Sequence, residues 1–289
     1  MSATVVTFPA GETRGQGVVS RVHADDGGAV VVVDATSFHP VDHTWPDQPG
    51  DAGTIRLGDD AVRVTEAVMA AVGDDGVFAV GADIPVKRGV EGWTWLVGHR
   101  VEAAEAPEWL TAGVTVDLEV DGSRRHALSR GHSACHLASL ALDLAVADLW
   151  RKDAGADALG NPDFEGRANQ SSRIHEDGAV DEYRLGKSLR KAGFDTEAFT
   201  VTLAEREARI NAQLAVWTAA NSASIIEVDG PMIIDRRRWR CSLPDGDAVM
   251  LCGGTHVSSL AEFASIAVTL ELTDPQTLVM TTSVVGAEA

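Results

Sequence analysis

The strongest constraint on the fold comes from two short motifs that lie far apart in the chain. His132 and His136 are four residues apart, and so are Cys252 and His256. On an α-helix, a spacing of four places both imidazoles of the first motif on one face, about one turn apart. Three imidazoles and one thiolate suit a tetrahedral zinc ion, so the fold must bring the two motifs together. We therefore predict a zinc site formed by these four residues.

Composition sets the outer limits of the interpretation. The chain has 289 residues, 45% of them hydrophobic, which is enough for a substantial core and favours two domains. It has three cysteines, an odd number, so a disulfide framework is not expected and Cys252 is free to bind a metal. No apolar run approaches the ~20 residues needed to cross a bilayer, and the N-terminus lacks the features of a signal peptide. We expect a cytoplasmic protein.

The formal charge of -19 argues against indiscriminate binding to nucleic acid. It leaves room for a local basic surface, and residues 236–240 contain the densest cluster of arginines together with Trp239, on which a base could stack. Residues 187–191 form a smaller basic cluster, and a solvated face is the alternative for either one. The candidate tRNA-binding residues are Arg236, Arg237, Arg238 and Arg240.

The chain divides near residue 120 into two parts with different patterns. In residues 1–120, short apolar runs alternate with turn signals such as Asp-Gly, which predicts a mostly β, barrel-like N-terminal domain. The predicted strands are residues 17–22, 29–33, 61–68, 77–80 and 114–120.

Residues 121–289 predict a second domain of the α+β class that carries the chemistry. Apolar residues at helical spacing predict a helix over residues 129–150, with the two histidines of the first motif near its beginning. Residues 153–170 are rich in Asp, Gly and Asn and predict a loop. The other predicted elements are helices at 183–191 and 202–219 and strands at 224–228 and 266–272.

Several motifs resemble one known family. The segments RRHALSRGHSACHL, at 124–137, and CGGTHVSSLAE, at 252–262, resemble the editing domain of alanyl-tRNA synthetases and its free-standing relatives, the alanyl-tRNA editing proteins, which are related to the editing domain of threonyl-tRNA synthetases. The segments TSFHP, at 36–40, and QPGDAG, at 48–53, resemble the two ends of the family's glycine-rich segment. The resemblance covers most of the chain except an insertion-like region at about 153–200.

The resemblance implies a trans-acting, zinc-dependent hydrolase. Its substrate would be a mischarged tRNA, and it would cleave the ester that joins an incorrect amino acid to the tRNA 3′ end. By position, His132, His136, Cys252 and His256 would bind zinc. Two roles for the ion stay open, since it can activate a water molecule or orient and polarise the ester. The residues that would face the substrate are Ser133, Gln48 and Thr255.

One segment departs from the family pattern. Where relatives carry a run of glycines before Gln48, this chain has the bulkier sequence VDHTWPD at 41–47. We expect His43 and Trp45 to reshape the pocket for the aminoacyl group, and such a pocket discriminates by fit and by hydrogen bonds. The substrate is then either the seryl ester of tRNA-Ala or a threonine-like or non-proteinogenic ester such as fluorothreonyl-tRNA.

Three alternatives remain open at this stage. A closed site with four protein ligands is also what structural zinc sites use, although a chain with this much core does not need one. A zinc hydrolase of a small ester or amide would fit the acidic net charge. A non-catalytic, zinc-stabilised module that binds a tRNA end would fit the motifs without catalysis.

Overall fold

The computed structural model describes residues 2–25, 28–102 and 106–287. The protein is of the α+β class, as predicted, and strands contribute more residues than helices. The chain forms two compact units. Unit 1 contains Met1–Arg125, Val228–Arg237 and Gly253–Thr255, and unit 2 contains His126–Glu227, Arg238–Cys252 and His256–Ala289. Residues 121–289 are predicted to form one domain, whereas residues 121–125 and two short later segments group with unit 1.

Unit 1 is built mainly from antiparallel strands. Seven of them form one sheet in the order β5-β9-β2-β3-β8-β6-β7, and β5 also pairs with β6. The short strands β1 and β4 pair in parallel. The barrel-like arrangement stays a prediction. The strands are β1 Val5–Val6, β2 Arg14–Asp25, β3 Gly28–Val33, β4 Ala35–Thr36, β5 Gly53–Leu57, β6 Asp60–Gly73, β7 Phe78–Val80, β8 Trp93–Val101 and β9 Thr115–Val120.

Unit 2 packs helices against an antiparallel sheet of order β10-β11-β16-β15 and a second sheet of order β12-β13-β14, in which β13 and β14 are antiparallel. The helices are α1 Gly122–Ala145, whose first four residues group with unit 1, α2 Glu165–Ala168, α3 Lys187–Ala192, α4 Thr196–Val201 and α5 Leu203–Ala219. The strands are β10 Asn169–His175, β11 Gly178–Arg184, β12 Ser224–Val228, β13 Arg237–Leu243, β14 Gly246–Leu251, β15 Phe263–Asp274 and β16 Thr277–Gly286.

Helix α1 differs from its prediction at both ends. It begins at Gly122 rather than at 129, because the Asp121 carboxylate accepts hydrogen bonds from the Arg124 N–H and the Ser123 hydroxyl and so caps the first turn. It ends at Ala145, and Ala147–Leu149 continues as a 3₁₀ turn. The apolar residues that predicted the helix do face the core, where Leu137, Leu140, Ala141, Ala145 and Leu149 are buried.

The region at 153–200 contains more regular structure than predicted. Strand β11 pairs with β10 on one side and with β16 on the other, so this segment supplies two strands of the sheet against which α1 lies. The predicted helix at 183–191 is wrong in its first half, because Tyr183 belongs to β11, where alternate residues are buried. The predicted loop at 153–170 contains α2.

The other predictions for unit 2 agree with the structure. Helix α5 covers the predicted 202–219, β12 covers 224–228, and β15 includes 266–272. Within the described residues, no helix is both long enough and apolar enough to span a membrane.

An ion pair inside unit 1 yields a prediction about stability. The Arg125 Nη2 and Nε groups both donate to the Asp51 carboxylate, which is 1% exposed. Removing one partner of a buried pair leaves an uncompensated charge. We expect Asp51→Ala to lower the free energy of unfolding by about 3–5 kcal/mol, measured by urea denaturation.

The matched control is Glu102→Ala, which removes a carboxylate from an exposed pair with Arg63 at 3.3 Å. Exposed pairs contribute little, so this change is expected to cost below about 1 kcal/mol. Equal effects of the two substitutions would contradict the role of the buried pair.

Candidate metal centre

The four predicted ligands meet within unit 2. Helix α1 carries His132 and His136 one turn apart, and their ring centroids are 4.8 Å from each other. Cys252 directly follows β14, and the His256 ring centroid lies 4.4 Å from that of His132 and 5.0 Å from that of His136. One nitrogen or sulfur atom from each residue lies within 4.8 Å of the corresponding atoms of the others. The fold therefore brings together four atoms that can bind a metal, and these atoms come from two distant segments of the chain.

The spacing of these atoms fits a tetrahedral ion. Cys252 Sγ is 3.4 Å from His132 Nε2 and 3.2 Å from His256 Nε2. Zinc bonds of ~2.0–2.3 Å in a tetrahedron separate the ligand atoms by roughly 3.3–3.8 Å. His136 Nε2 is buried and has no hydrogen-bond partner among the described residues. A buried polar atom without a partner is costly, and coordination would satisfy it.

The electrostatics of the histidines also favour metal binding. Burial lowers the pKa of His132 to about 4. Burial, reinforced by the neighbouring His132, lowers the pKa of His136 well below its usual value. Both imidazoles are therefore neutral near pH 7, which is the form that binds metals. One sulfur and three nitrogen donors suit zinc better than magnesium or calcium, which take oxygen ligands.

Ser133 lies behind the candidate metal ligand His256. Its side chain is fully buried, its Oγ is 3.1 Å from His256 Nδ1, and it accepts a hydrogen bond of 3.1 Å from the Val257 N–H. A neutral imidazole that binds through Nε2 carries its proton on Nδ1, so this N–H would donate to Ser133 Oγ. Such a partner fixes the tautomer and the orientation of a ligand. The hydroxyl predicted to face the substrate thus contacts a ligand and the backbone beside it.

Trp239 covers one side of the ligand cluster. Its ring centroid lies 5.1 Å from that of His136 and 5.6 Å from that of His256, and its Nε1–H donates to Ser224 Oγ over 2.8 Å. The side chain is fully buried. The interpretation of Trp239 as an exposed surface for base stacking is therefore wrong. Alternation along β13 could have revealed this, because Trp239 shares the inward face with Arg237 and Cys241.

Gln48 and Thr255 hold each other within unit 1. Gln48 Nε2 donates to Thr255 Oγ1, and the Thr255 N–H donates to Gln48 Oε1, both over 2.9 Å. Because a backbone N–H needs an oxygen acceptor, the second bond fixes which way the amide points. Both residues are buried, and Thr255 directly precedes His256 in the chain. The pair therefore restrains the backbone next to a ligand.

The segment at 41–47 is an ordered turn of unit 1. The Asp42 carboxylate accepts hydrogen bonds from the backbone N–H groups of Thr44 and Trp45. The His43 ring packs 5.4 Å from Trp95, and its Nε2 is 3.0 Å from the Val86 carbonyl oxygen. Trp45 remains 48% exposed. Of the two residues predicted to line a pocket, His43 is held in the interior of unit 1 and Trp45 is accessible.

The four arginines of the predicted tRNA-binding surface differ in their exposure and in their partners. Arg237 is 3% exposed, donates to two backbone carbonyls and lies over the Phe8 ring. Arg240 pairs with two carboxylates at 2.7 and 3.1 Å. Arg236 is exposed and Arg238 is half-buried. These side chains therefore do not form one continuous, unpaired positive surface.

Glu262 supports the ligand segment and was not predicted to. One carboxylate oxygen accepts hydrogen bonds from the N–H groups of Ser258 and Ser259, and the other lies 2.5 Å from Nε2 of His126 on α1. Helix α1 therefore contacts the segment after His256 at a second place. A Ser-x-x-Glu capping box at 259–262 is the sequence signal for this role.

Comparison with known proteins adds a second line of observation. An alanine–tRNA ligase from Frankia casuarinae is 28% identical over 265 residues, which cover 88% of this chain. The chain is related in sequence to alanine–tRNA ligases. The ligase from Methanopyrus kandleri is 25% identical over 83% of the chain, and that from a Parafrankia species is 30% identical over 59%. The matched part is 25% of the Frankia casuarinae protein and 21% of the Methanopyrus protein. No family model matches the chain.

The position of Ser133 leads to a prediction about metal affinity. Loss of a partner that orients a ligand typically weakens metal binding 10–100-fold. We expect Ser133→Ala to reduce zinc affinity by about this factor, measured by competition with a chromogenic chelator. The control is Ser139→Ala, since this buried hydroxyl on the same helix bonds the His136 carbonyl at 3.0 Å. An unchanged affinity in Ser133→Ala would contradict the orienting role.

Proposed function

We propose that this protein is a trans-editing aminoacyl-tRNA deacylase that hydrolyses the ester between an incorrect amino acid and the 3′ end of a tRNA. One observation carries the proposal. The four ligand atoms of His132, His136, Cys252 and His256 converge in a chain related to alanine–tRNA ligases. The order of the two ligand motifs also resembles the editing domain of alanyl-tRNA synthetases.

The residues of the centre have separable roles in this proposal. His132, His136, Cys252 and His256 hold zinc, which when bound can polarise an ester carbonyl or lower the pKa of a water molecule toward ~7. Ser133 orients His256 through Nδ1. Trp239 excludes water from the side of the cluster that it covers, which strengthens the electrostatic interactions there.

Gln48 and Thr255 act through the backbone that precedes His256 in the chain. Their two mutual hydrogen bonds restrain the backbone that leads into His256. Under the resemblance to the editing domain, both residues would also face the substrate. The proposal therefore gives Gln48 and Thr255 a positioning role and a contact with the aminoacyl group.

The accessible Trp45 bears on the amino acid that is removed. In the family that the chain resembles, the segment at 41–47 borders the aminoacyl group, and a large exposed ring alters the fit of a small side chain there. We propose a threonine-like or non-proteinogenic residue, with the seryl ester of tRNA-Ala as the other candidate.

The test is hydrolysis of a panel of 3′-labelled aminoacyl-tRNAs carrying seryl, glycyl, threonyl, alanyl and fluorothreonyl esters. We expect the wild-type protein to cleave at least one ester. His136→Ala is expected to abolish that activity, because it removes a ligand. His175→Ala is the matched control, since this exposed histidine of unit 2 lies outside the ligand cluster.

The outcomes of this panel separate the three functions. Turnover lost only in His136→Ala supports the deacylase. A zinc-loaded, folded protein that cleaves none of the tRNA esters but hydrolyses small esters would instead be a small-molecule hydrolase. Binding of tRNA without any turnover would indicate the non-catalytic module.

Metal removal gives an independent prediction. Unit 2 has a large buried core that includes Leu137, Leu142, Trp217 and Tyr183, so its fold does not depend on an ion alone. After a chelator removes the metal, we expect the far-ultraviolet circular dichroism spectrum to be retained, the melting temperature to fall and hydrolysis to stop until zinc is restored. Complete unfolding on chelation would contradict this and favour a structural site.

A further inference from the structure

Four cations form an exposed group on unit 2, on chain segments other than the one that contains the arginines of the predicted tRNA surface. Lys187, Arg190 and Lys191 are spaced i, i+3 and i+4 along α3, so they share one face of this short helix. Lys152 lies beside them, because its Nζ donates a hydrogen bond of 2.9 Å to the Lys191 carbonyl oxygen. All four residues are exposed. We call this group the cationic face.

The position of the cationic face is fixed by contacts beneath it. Leu189, on the opposite side of α3, is buried in the core of unit 2. The helix ends at Gly193, whose φ of +108° is a left-handed conformation that favours glycine. The Arg151 N–H donates to the Gly193 carbonyl oxygen over 2.9 Å, which ties the Lys152 backbone to the end of α3. The cations are therefore mounted on an ordered surface.

The charges of the cationic face are not neutralised locally. None of its four residues makes an ion pair with a carboxylate within the described residues, although the chain has 43 acidic and 24 basic residues. Exposed arginines elsewhere do find partners, such as Arg14 with Glu119 at 2.7 Å. Like charges at i, i+4 on a helix are destabilising by roughly 0.2–0.5 kcal/mol. A cluster held together against this repulsion suits a polyanion.

We propose that the cationic face binds the phosphate backbone of the tRNA whose 3′ ester is hydrolysed at the metal centre. This inference rests on the proposed function. Lysine and arginine neutralise phosphates without reading bases, so the face would contribute affinity rather than sequence specificity. It would provide local attraction for tRNA on a protein whose formal charge is -19.

The distance between the cationic face and the metal centre is compatible with this role. Cys135, the neighbour of His136 on α1, has its Sγ 3.5 Å from Asp181 Oδ1 on β11. Lys187 follows Asp181 by six residue steps, which span at most about 22 Å. When the Cys135 and Asp181 side chains that join the two segments are added, the Cα atom of Lys187 lies within about 35 Å of the Cα atom of His136. Phosphates recur every few ångströms along a duplex strand, so a duplex of on the order of ten base pairs covers this distance.

The first experiment measures binding of a deacylated tRNA-Ala transcript by fluorescence anisotropy at several salt concentrations. The test variant carries Lys187→Gln, Arg190→Gln and Lys191→Gln. Each lost phosphate contact reduces the slope of log K against log salt by about 0.7–0.9, so we expect a reduction of about 2 and roughly tenfold weaker binding at moderate salt.

The matched control carries Arg14→Gln, Arg56→Gln and Arg63→Gln, which change the net charge by the same amount on exposed strands of unit 1. We expect this control to bind tRNA almost as the wild type does. If both variants have the same slope, or if the test variant keeps the wild-type slope, the cationic face is not the tRNA-binding surface.

The second experiment separates this inference from the proposed function. With an aminoacyl-tRNA that the wild type cleaves, we expect the test variant to have a KM about tenfold higher with kcat retained. With the corresponding 3′-aminoacyl-adenosine, which lacks the tRNA backbone, its kinetics are expected to match the wild type. Equal loss on both substrates would overturn the docking role. Failure of the wild type to cleave any ester would overturn the deacylase, whereas the salt dependence of tRNA binding would still test the face.

Discussion

The candidate metal centre depends on the contact between helix α1 and the segment that contains His256. His132 and Cys252 are 120 residues apart, so no local preference can bring their ligand atoms together. The Ser133 hydroxyl makes the link, because it lies next to His132 in the chain and bonds both the His256 ring and the Val257 N–H. Glu262 adds a second link to α1 through His126. A single helix thus supplies two ligands and positions a third.

The surroundings of the ligands favour a preformed site. Trp239, which lies on β13, packs on the imidazole rings of His136 and His256. Helix α1 is buried against the sheet that contains β11. Side chains held in this way lose little further conformational freedom when an ion binds, which benefits affinity. The burial that makes the histidines neutral also makes them costly to leave without partners. Packing and coordination chemistry therefore favour the same arrangement.

The features predicted correctly from sequence are those set by local spacing. The i, i+4 histidines, the apolar stripe of α1 and the helix α5 all follow from residues close together in the chain. The features that were missed depend on distant partners. Gln48 is 207 residues from Thr255, and no local signal connects them. The placement of Tyr183 in a strand follows from pairing with β16, which overrides its local helical context. Trp239 was misjudged because neighbouring arginines obscured the alternation of β13.

The division of the chain has a consequence for folding during synthesis. Unit 1 includes Met1–Arg125, yet it also includes Val228–Arg237 and Gly253–Thr255, which the ribosome makes more than 100 residues later. N-terminal domains usually fold first as the chain emerges. Here residues 1–125 can complete their contacts only after these later segments have been synthesised. The hydrogen bonds between Gln48 and Thr255 form only after most of unit 2 has been made. The order of synthesis therefore makes the completion of unit 1 a late event, with a large loop to close.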